Sequence, residues 1–446
     1  MNMERNQHVV NNLTAFLYLS ILLSPFLPPV ALGLLSCATI YYVRGNWEFR
    51  SWPEVVFLGF MLVTIISWCY NPTWYHLKDL HITFPIGIVP LATFGAYYML
   101  SMWTRKVLNF SWRDLQKVYL LFWLGGLYVA AIVFLQQLDW YGLHATWLGD
   151  LLDFYRTNRY QSERSIRSIG TTGNSNLTAA LLICFALLSI YASSVLKGKW
   201  KKTLAFSMFF LFCTAIAYTG SRGAWIGLVI GLIVQVWMTG QRKWTVGLFA
   251  AFVGIVAFFP SIIPRKDTLA TTIDDRFQVW STSWQIFQDN WLLGTLPIHF
   301  GQLYKQITGK IIYHAHNVVL GVASEYGVIG LFLFSALIFM TIRRARAWRK
   351  AANQKGEKRL AGMLISQTVA LLGHGMYDYP IVSPQVGLLF MLSVVMIHTQ
   401  YERRCVVRPN WSDDEESADK LKAATSYPLK HVSAVLSIRK IKKNES

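Results

Sequence analysis

Long apolar runs separated by shorter polar connections dominate the chain. Because one membrane crossing needs roughly 20 apolar residues, these runs predict about twelve transmembrane helices. They lie near residues 10–26, 28–43, 54–70, 84–103, 118–137, 177–196, 203–219, 223–239, 245–263, 316–341, 360–376 and 383–399. Three prolines, Pro25, Pro28 and Pro29, interrupt the first run, which is either a hairpin of two spans or one kinked span.

The pattern predicts an all-α integral membrane domain over residues 1–401 and a basic cytoplasmic tail over residues 402–446. A hydrophobic fraction of 54% and a mean hydropathy of +0.35 support this class. The five cysteines are scattered along the chain, so they predict neither a disulfide framework nor a metal cluster.

The formal net charge of +19 would suggest a nucleic-acid partner in a soluble protein. Here the basic clusters at 197–202, 241–243 and 343–359 fall in alternate connections between predicted helices. The positive-inside rule therefore places those connections and both termini in the cytoplasm. We expect membrane lipids, and no nucleic acid, as partners of the basic residues.

This orientation puts two long loops, 138–176 and 264–315, on the outer face. Loops longer than about 15 residues in a compact protein are usually functional or disordered. Both loops are rich in aromatic residues, so we expect them to fold back onto the helices. In the second loop, Phe277, Trp280 and Trp284 recur at helical spacing, which predicts a short amphipathic helix on the membrane surface.

The first outer loop contains arginine and no lysine among its basic residues. Because a guanidinium group can bind phosphate in a bidentate manner, these arginines indicate an anionic ligand. The alternative is that they balance nearby acidic residues or contact lipid head groups. The arginines are Arg156, Arg159, Arg164 and Arg167.

Two further arginines are candidates for anion binding. Arg222 lies in a short turn between Gly220 and Gly223, at the start of the next helix, where free N–H groups and the helix dipole favour an anion. Its alternative role is interfacial snorkelling. Arg276 follows two aspartates in the second outer loop, which cap its helix or pair with it. With no other acidic cluster nearby, we expect no metal there.

His316 opens a hydrophobic helix directly after the second outer loop. On that helix Ala323, Gly327 and Gly330 follow it along one face, and a small-residue face admits a second helix at close range. His316 is then at the water-exposed end of the helix bundle. The alternative is an ordinary interfacial histidine, with His314 directed elsewhere.

Three other polar residues accompany His316 in the outer half of the bundle. Glu325 faces away from His316, so we expect a structural partner for it. His374 and Asp378 lie one turn apart at the outer end of the next helix. We expect both to reach the pocket of His316 and to orient its ring.

These motifs resemble a known family. The sequence from His316 to Gly330, read as HN, nine residues, G, two residues, G, resembles the signature of the O-antigen ligase and polysaccharide polymerase superfamily. The segment RSIGTTGNSN, the turn GSRGAW and the run DDRFQVW before a later LLG are similar to further motifs of the same family. The resemblance covers residues from about 160 to 340 and does not reach the tail.

The resemblance implies a GT-C-like membrane glycosyltransferase that needs no metal or other cofactor. Its donor is a glycan linked to undecaprenyl diphosphate at the outer face of the plasma membrane. Arg222 and Arg276 match arginines thought to bind the donor diphosphate, and His316 matches the histidine needed for transfer. Asp378 is a weaker match to an acidic residue. Together the residues and the resemblance assign substrate binding to Arg164, Arg167, Asn317, His374 and Asp378.

Several alternatives stay open at this point. The enzyme is either a polymerase or a ligase of a cell-surface polysaccharide, and its acceptor is a glycan, a lipid or a protein. His316 either accepts a proton from the acceptor hydroxyl or hydrogen-bonds the donor. A flippase for lipid-linked sugars would instead show inverted repeats, broken helices and polar residues at mid-membrane. A non-catalytic scaffold would leave Arg222 and His316 without a role.

Overall fold

The structure is a computed structural model that describes residues 51–77, 82–106, 112–137, 167–240 and 269–406, with scattered positions elsewhere. The helices expected at 10–26, 28–43 and 245–263 lie outside these continuous ranges. Internal contacts divide the chain into two units, Met1–Tyr401 and Glu402–Ser446. Of the second unit, the structure describes a single π-helical turn, Glu402–Val406.

Within the described ranges the protein is mostly helical, which confirms the expected all-α class. The helices are α1 (Trp52–Tyr70), α2 (Ile88–Lys106), α3 (Trp112–Gln137), α4 (Ser175–Val195), α5 (Lys199–Thr219), α6 (Arg222–Met238), α7 (Leu269–Asp289), α8 (Pro297–Thr308), α9 (Val318–Ala351), α10 (Lys355–Gly375) and α11 (Pro384–Tyr401). Short 3-10 turns lie at Gly170–Thr172 and Pro380–Val382.

Five of the described helices, α1, α3, α4, α5 and α9, are long and apolar enough to cross a membrane. Shorter apolar stretches, Ile88–Met102 and Arg222–Met238, lie in α2 and α6. Such helices indicate a membrane protein, because a crossing needs about 20 predominantly apolar residues. The total of about twelve crossings and the GT-C class stay predictions.

The central helix of the bundle is α4, which is buried on nearly every face. It packs against α3, α5, α6 and α10. Its N-cap is Asn174, whose side chain accepts hydrogen bonds from the backbone N–H groups of Asn176 and Leu177. The ring of Phe185 occupies the space left by Gly126 of α3, where a Cβ would lie 2.6 Å from the ring. A helix buried all round needs such apolar residues on every side.

The connection between α1 and α2 contains two strands that the sequence pattern did not predict. Strands β1 (Trp74–Leu77) and β2 (Ile82–Pro85) pair antiparallel, with Trp74 opposite Pro85. The expected outer loop at 71–83 is thus partly a β-hairpin.

Helix α9 is broken at Gly327, which has a φ of +66°. A Cβ at this position would lie 2.2 Å from the carbonyl oxygen of Leu292, so only glycine fits the break. The expectation that the face from Ala323 to Gly327 admits a second helix is therefore wrong. The irregular segment 290–296 fills that space instead.

Backbone hydrogen bonds join this segment to the broken helix. The N–H groups of Thr295 and Leu296 donate to the carbonyl oxygens of Ser324 and Glu325, and Val328 donates to the carbonyl oxygen of Trp291. Gly327 is nine residues into α9, or roughly 14 Å along the helix axis. The expected outer loop 264–315 is thus not wholly external, since part of it re-enters the bundle with its backbone groups paired.

Helices α7 and α8 form a small core of their own within this loop. Its buried side chains are Val279, Ile286, Phe300, Tyr304 and Ala315. Helix α7 also packs against α9. The structure therefore confirms a helix at the aromatic repeat and the folding of this loop onto the bundle. The first outer loop, up to residue 166, lies outside the described part.

Candidate functional site

A chamber of about 460 Å³ lies where α6, α7 and the end of α10 meet. Its walls combine three arginines with polar and aromatic side chains. The lining residues include Arg167, Asn176, Ser221, Arg222, Arg276, Phe277, Trp280, His374, Tyr377 and Asp378. Cationic walls with few acidic groups favour an anionic ligand, and the aromatic rings offer apolar contact surface.

Arg222 is the first residue of α6, directly after the N-cap Ser221. The following glycines permit α10 to approach, because a Cβ at Gly223 would lie 3.1 Å from the ring of His374. A Cβ at Gly227 would lie 2.8 Å from the carbonyl oxygen of Ala370. The short turn therefore places a guanidinium group at a helix N-terminus, beside the C-terminal end of α10.

Arg167 anchors the segment that leads into α4. Its Nε donates to the carbonyl oxygen of Thr219 at 2.8 Å, and its Nη2 donates to Oδ1 of Asn176 at 2.8 Å. Gly170 has a φ of +55°, and a Cβ there would lie 2.4 Å from Thr178. The glycines and asparagines of this motif thus shape the loop that presents Arg167 to the chamber.

Helix α7 contributes one face to the chamber, from Thr272 to Trp280. Arg276 lies on this face, together with Phe277 and Trp280, whose rings contact each other edge to face. The indole Nε1 of Trp280 donates to the carbonyl oxygen of His316 at 3.3 Å, which ties α7 to the start of α9. Asp274 and Asp275 are exposed on the same helix and lie outside the chamber lining.

Asp378 connects the chamber wall to two histidines. Its Oδ1 accepts a hydrogen bond from Nδ1 of His316 at 2.8 Å and from Nε2 of His314 at 3.3 Å. The backbone N–H of Tyr379 donates to the same oxygen at 2.9 Å. Asp378 is 2% exposed, so these three donors take the place of water around its carboxylate.

The surroundings determine the charges of Asp378 and His316. Burial alone would raise the pKa of the Asp378 carboxyl, but the hydrogen bonds from His314 and His316 outweigh it and hold that pKa well below its usual range. Burial lowers the pKa of His316 to about 4, although Asp378 acts in the opposite direction. At neutral pH the pair is therefore a carboxylate and a neutral imidazole.

The ligand atoms of His314, His316 and Asp378 lie within 4.8 Å of one another, so this cluster could hold a metal ion. Tetrahedral zinc, with bonds of about 2.0–2.1 Å, separates its ligand atoms by roughly 3.3 Å. The 2.8 Å between His316 and Asp378 is instead a hydrogen-bond distance. The arrangement in the structure is that of a carboxylate orienting an imidazole.

His316 has a φ of +51°, a conformation that residues other than glycine rarely adopt. The next residue, Asn317, caps α9, since its Oδ1 accepts from the N–H groups of Val319 and Leu320. Its Nδ2 donates to the carbonyl oxygen of Met376 at 3.1 Å. Asn317 was expected to bind substrate, but the structure gives its amide a capping and anchoring role.

His374 is fully buried and lines the chamber. Neither of its ring nitrogens has a hydrogen-bond partner among the described residues. A buried imidazole without partners costs free energy, so this ring is suited to a hydrogen bond with a ligand or a water in the chamber. Its substrate-binding role stays a prediction, whereas Asp378, and not His374, forms the hydrogen bond that orients His316.

Sequence reasoning missed the part played by His314, which was expected to point away from His316. The two rings lie 4.3 Å apart between centroids and share one carboxylate oxygen. Residues two apart in an extended chain face the same side, and this spacing was the available signal. Arg164, the remaining substrate-binding candidate, lies outside the described residues.

Comparison with known families agrees with the motifs. A family model described as O-Antigen ligase matches residues 206–335. This range runs from within α5 to the middle of α9 and includes Arg222, Arg276 and His316. The match confirms the resemblance to the O-antigen ligase and polymerase superfamily, and it supports a role in polysaccharide assembly. No curated protein sequence matches the chain.

Proposed function

We propose that the protein is a metal-independent glycosyltransferase that moves a glycan from an undecaprenyl-diphosphate-linked donor to a sugar hydroxyl. The reaction takes place at the outer face of the plasma membrane, with both termini in the cytoplasm. The single observation that carries the proposal is the chamber in which Arg222 and Arg276 meet Asp378, the hydrogen-bond partner of His316. The family match over residues 206–335 supports it.

The arginines would act on the leaving group. Cleavage of the anomeric C–O bond leaves negative charge on the diphosphate, and preorganised guanidinium groups stabilise that charge in the transition state. Arg222 and Arg276 come from separate helices onto one chamber, so they can contact the diphosphate from two directions. The buried ring of His374 adds a hydrogen-bonding group to the same wall.

His316 would accept the proton of the attacking hydroxyl. Because the Asp378 carboxylate only accepts hydrogen bonds, Nδ1 of the neutral imidazole carries the proton and Nε2 is the basic nitrogen. A positioned base of this kind contributes on the order of 10²- to 10⁴-fold to the rate. The proton thus passes from the acceptor hydroxyl to Nε2, and the new glycosidic bond replaces the bond to diphosphate.

The partners follow from this chemistry. The donor is a lipid-linked glycan, and the acceptor is a second glycan chain, a lipid or a protein that presents a sugar hydroxyl. The proposal covers both a polymerase and a ligase, because the chamber binds the diphosphate end that both reactions share.

A flippase for lipid-linked sugars is the second candidate. One observation favours it, since α9 is broken at Gly327 with the buried Glu325 beside the break. Broken helices and mid-membrane polar residues are typical of transporters. Against this, Arg222 and His316 lie at the starts of α6 and α9, and Arg276 lies on α7 in the long loop before α9. This placement favours transfer over transport.

The test measures release of undecaprenyl diphosphate by the purified protein in lipid vesicles, with labelled donor and acceptor glycan. We expect release by the wild type and a loss of about 100-fold or more in Arg222→Ala and in His316→Ala. Arg346→Ala is the matched control, because this exposed arginine lies near the end of α9, outside the chamber. Transbilayer movement of the donor without release of diphosphate would favour the flippase.

A further inference from the structure

Glu325 carries a buried carboxyl group that the proposed transfer does not use. It is 1% exposed, and its Oε2 accepts a hydrogen bond from the Tyr379 hydroxyl at 3.1 Å. Its Oε1 has no hydrogen-bond partner among the described residues. The carboxyl borders a mainly apolar cavity of about 180 Å³, whose walls include Phe57, Phe60, Phe94 and Phe334. A carboxyl is costly in such surroundings, where a leucine would pack more cheaply.

Tyr379 links this carboxyl to the candidate catalytic pair. Its ring lies across Gly321 of α9, where a Cβ would lie 2.6 Å from the ring. Its hydroxyl reaches Glu325, one turn further along α9. Its backbone N–H donates to Oδ1 of Asp378, the same oxygen that accepts from His316. One residue therefore joins Glu325 to the carboxylate that orients the imidazole.

We infer that Glu325 is a positioning residue that fixes the Asp378 carboxylate, and with it the His316 ring, by holding Tyr379 against α9. The inference rests on the proposed function for the role of His316. Besides the hydrogen bond between His316 and Asp378, two hydrogen bonds help to hold α9 against the turn after α10. Asn317 binds the carbonyl oxygen of Met376 at the start of the helix, and Glu325 binds Tyr379 two turns deeper.

Three single variants separate positioning from mere packing. Glu325→Leu and Tyr379→Phe each remove the contact, so we expect kcat to fall between about tenfold and 100-fold, with KM within about twofold of wild type. Glu325→Gln keeps a carbonyl oxygen that can accept from Tyr379, and its kcat stays within about threefold of wild type. Tyr119→Phe is the control, since Tyr119 is likewise a buried tyrosine, and its hydroxyl shares a hydrogen bond with Ser393.

A double variant adds a readout that a structural role would not produce. Glu325→Leu combined with Tyr379→Phe replaces both partners by apolar groups, which is close to neutral for stability. We expect a thermal midpoint no lower than that of either single variant, together with a kcat as low as theirs. If kcat recovers along with stability in the double variant, Glu325 serves packing and the inference is wrong.

A measurement without substrate keeps this inference distinct from the proposed function. Nitrogen-15 spectra of histidine-labelled protein, assigned with His316→Gln, report which ring nitrogen of His316 is protonated. We expect a proton on Nδ1 in the wild type and in Glu325→Gln, and a mixture of tautomers in Tyr379→Phe and Glu325→Leu. An unchanged tautomer in the last two variants overturns the inference. A wild type that shows the expected spectrum but releases no diphosphate overturns only the proposed function.

Discussion

The chemistry of the site depends on one shared oxygen. Oδ1 of Asp378 accepts from His314, His316 and the backbone of Tyr379. A carboxylate with three donors stays ionised at low pH, and it fixes the proton of His316 on Nδ1. Nε2 is then unprotonated, so it needs to lose no proton before it can act as a base. The His316 imidazole therefore stays neutral over a wider pH range than an ordinary histidine.

We expect this difference in the pH dependence of transfer. Burial lowers the pKa of His316 from 6.5 to about 4, so the imidazole is neutral above about pH 4 and becomes protonated only below it. For an ordinary histidine, the neutral fraction would fall about tenfold between pH 7.5 and pH 5.5. We expect kcat/KM at about pH 5.5 to stay within about twofold of its value at about pH 7.5.

The measurement is initial-rate release of diphosphate across this pH range, with the folded state checked by thermal unfolding at each pH. The residual activity of His316→Gln supplies the background, because any pH dependence that it retains arises elsewhere. An acid limb near pH 6.5 in the wild type would show that the imidazole titrates as an exposed histidine does.

At the level of elements, the break in α9 decides where the second outer loop goes. The carbonyl oxygens of Ser324 and Glu325 lose their helical partners at Gly327, and the N–H groups of Thr295 and Leu296 take those places. Leu296 itself has a φ of +68°, a strained conformation for a residue other than glycine, and its N–H is one of the two donors at the break. The loop that ends in His316 is thus anchored inside the bundle as well as at its surface.

We expect Gly327→Ala to destabilise the protein by more than about 2 kcal/mol. A positive φ costs an alanine roughly 1–2 kcal/mol, and its Cβ would also collide with the carbonyl oxygen of Leu292. Gly95→Ala is the matched control, because this helical glycine has open space around it and alanine favours helix by about 0.5–1 kcal/mol. Thermal unfolding in detergent compares the two, and equal midpoints would contradict the account of the break.

The sequence predicted the elements better than it predicted their contacts. Hydrophobic length alone located the apolar helices, since burial in lipid requires runs of fixed length. The same glycines that match the family signature were interpreted as a smooth helix face, because periodicity carries no information on a positive φ. The strands that begin at Trp74 and Ile82 were missed for a related reason, since two strands of four residues each are too short to show a clear alternation.

The same holds for the site, where the sequence predicted individual residues better than it predicted the contacts between them. Arg222, Arg276 and Asp378 were selected from their local surroundings, and the structure places all three on one chamber. The roles of His314 and Asn317 depend on which atoms meet across distant segments, so residue type and spacing did not reveal them. Tyr379 had no signal at all, because its backbone N–H carries the contact to Asp378.

At the level of the whole molecule, the distribution of basic residues predicts the side of the membrane on which the chamber opens. The basic segments at 197–202 and 343–359 flank helices whose opposite ends approach the chamber. If the positive-inside rule orients the protein, the chamber opens to the outside, where a glycan acceptor is available. A cytoplasmic chamber would be incompatible with transfer of a glycan at the cell surface.

We therefore expect that two exposed lysine positions, each replaced by cysteine in a cysteine-free variant, are labelled from opposite sides of the membrane. Lys310→Cys, in the loop before His316, should react with a membrane-impermeant maleimide in intact cells. Lys201→Cys, at the start of α5, should react only after the membrane is permeabilised. The cysteine-free parent is the control for background labelling. The reverse pattern would place Arg222, Arg276 and His316 on the cytoplasmic side and rule out an extracytoplasmic transferase.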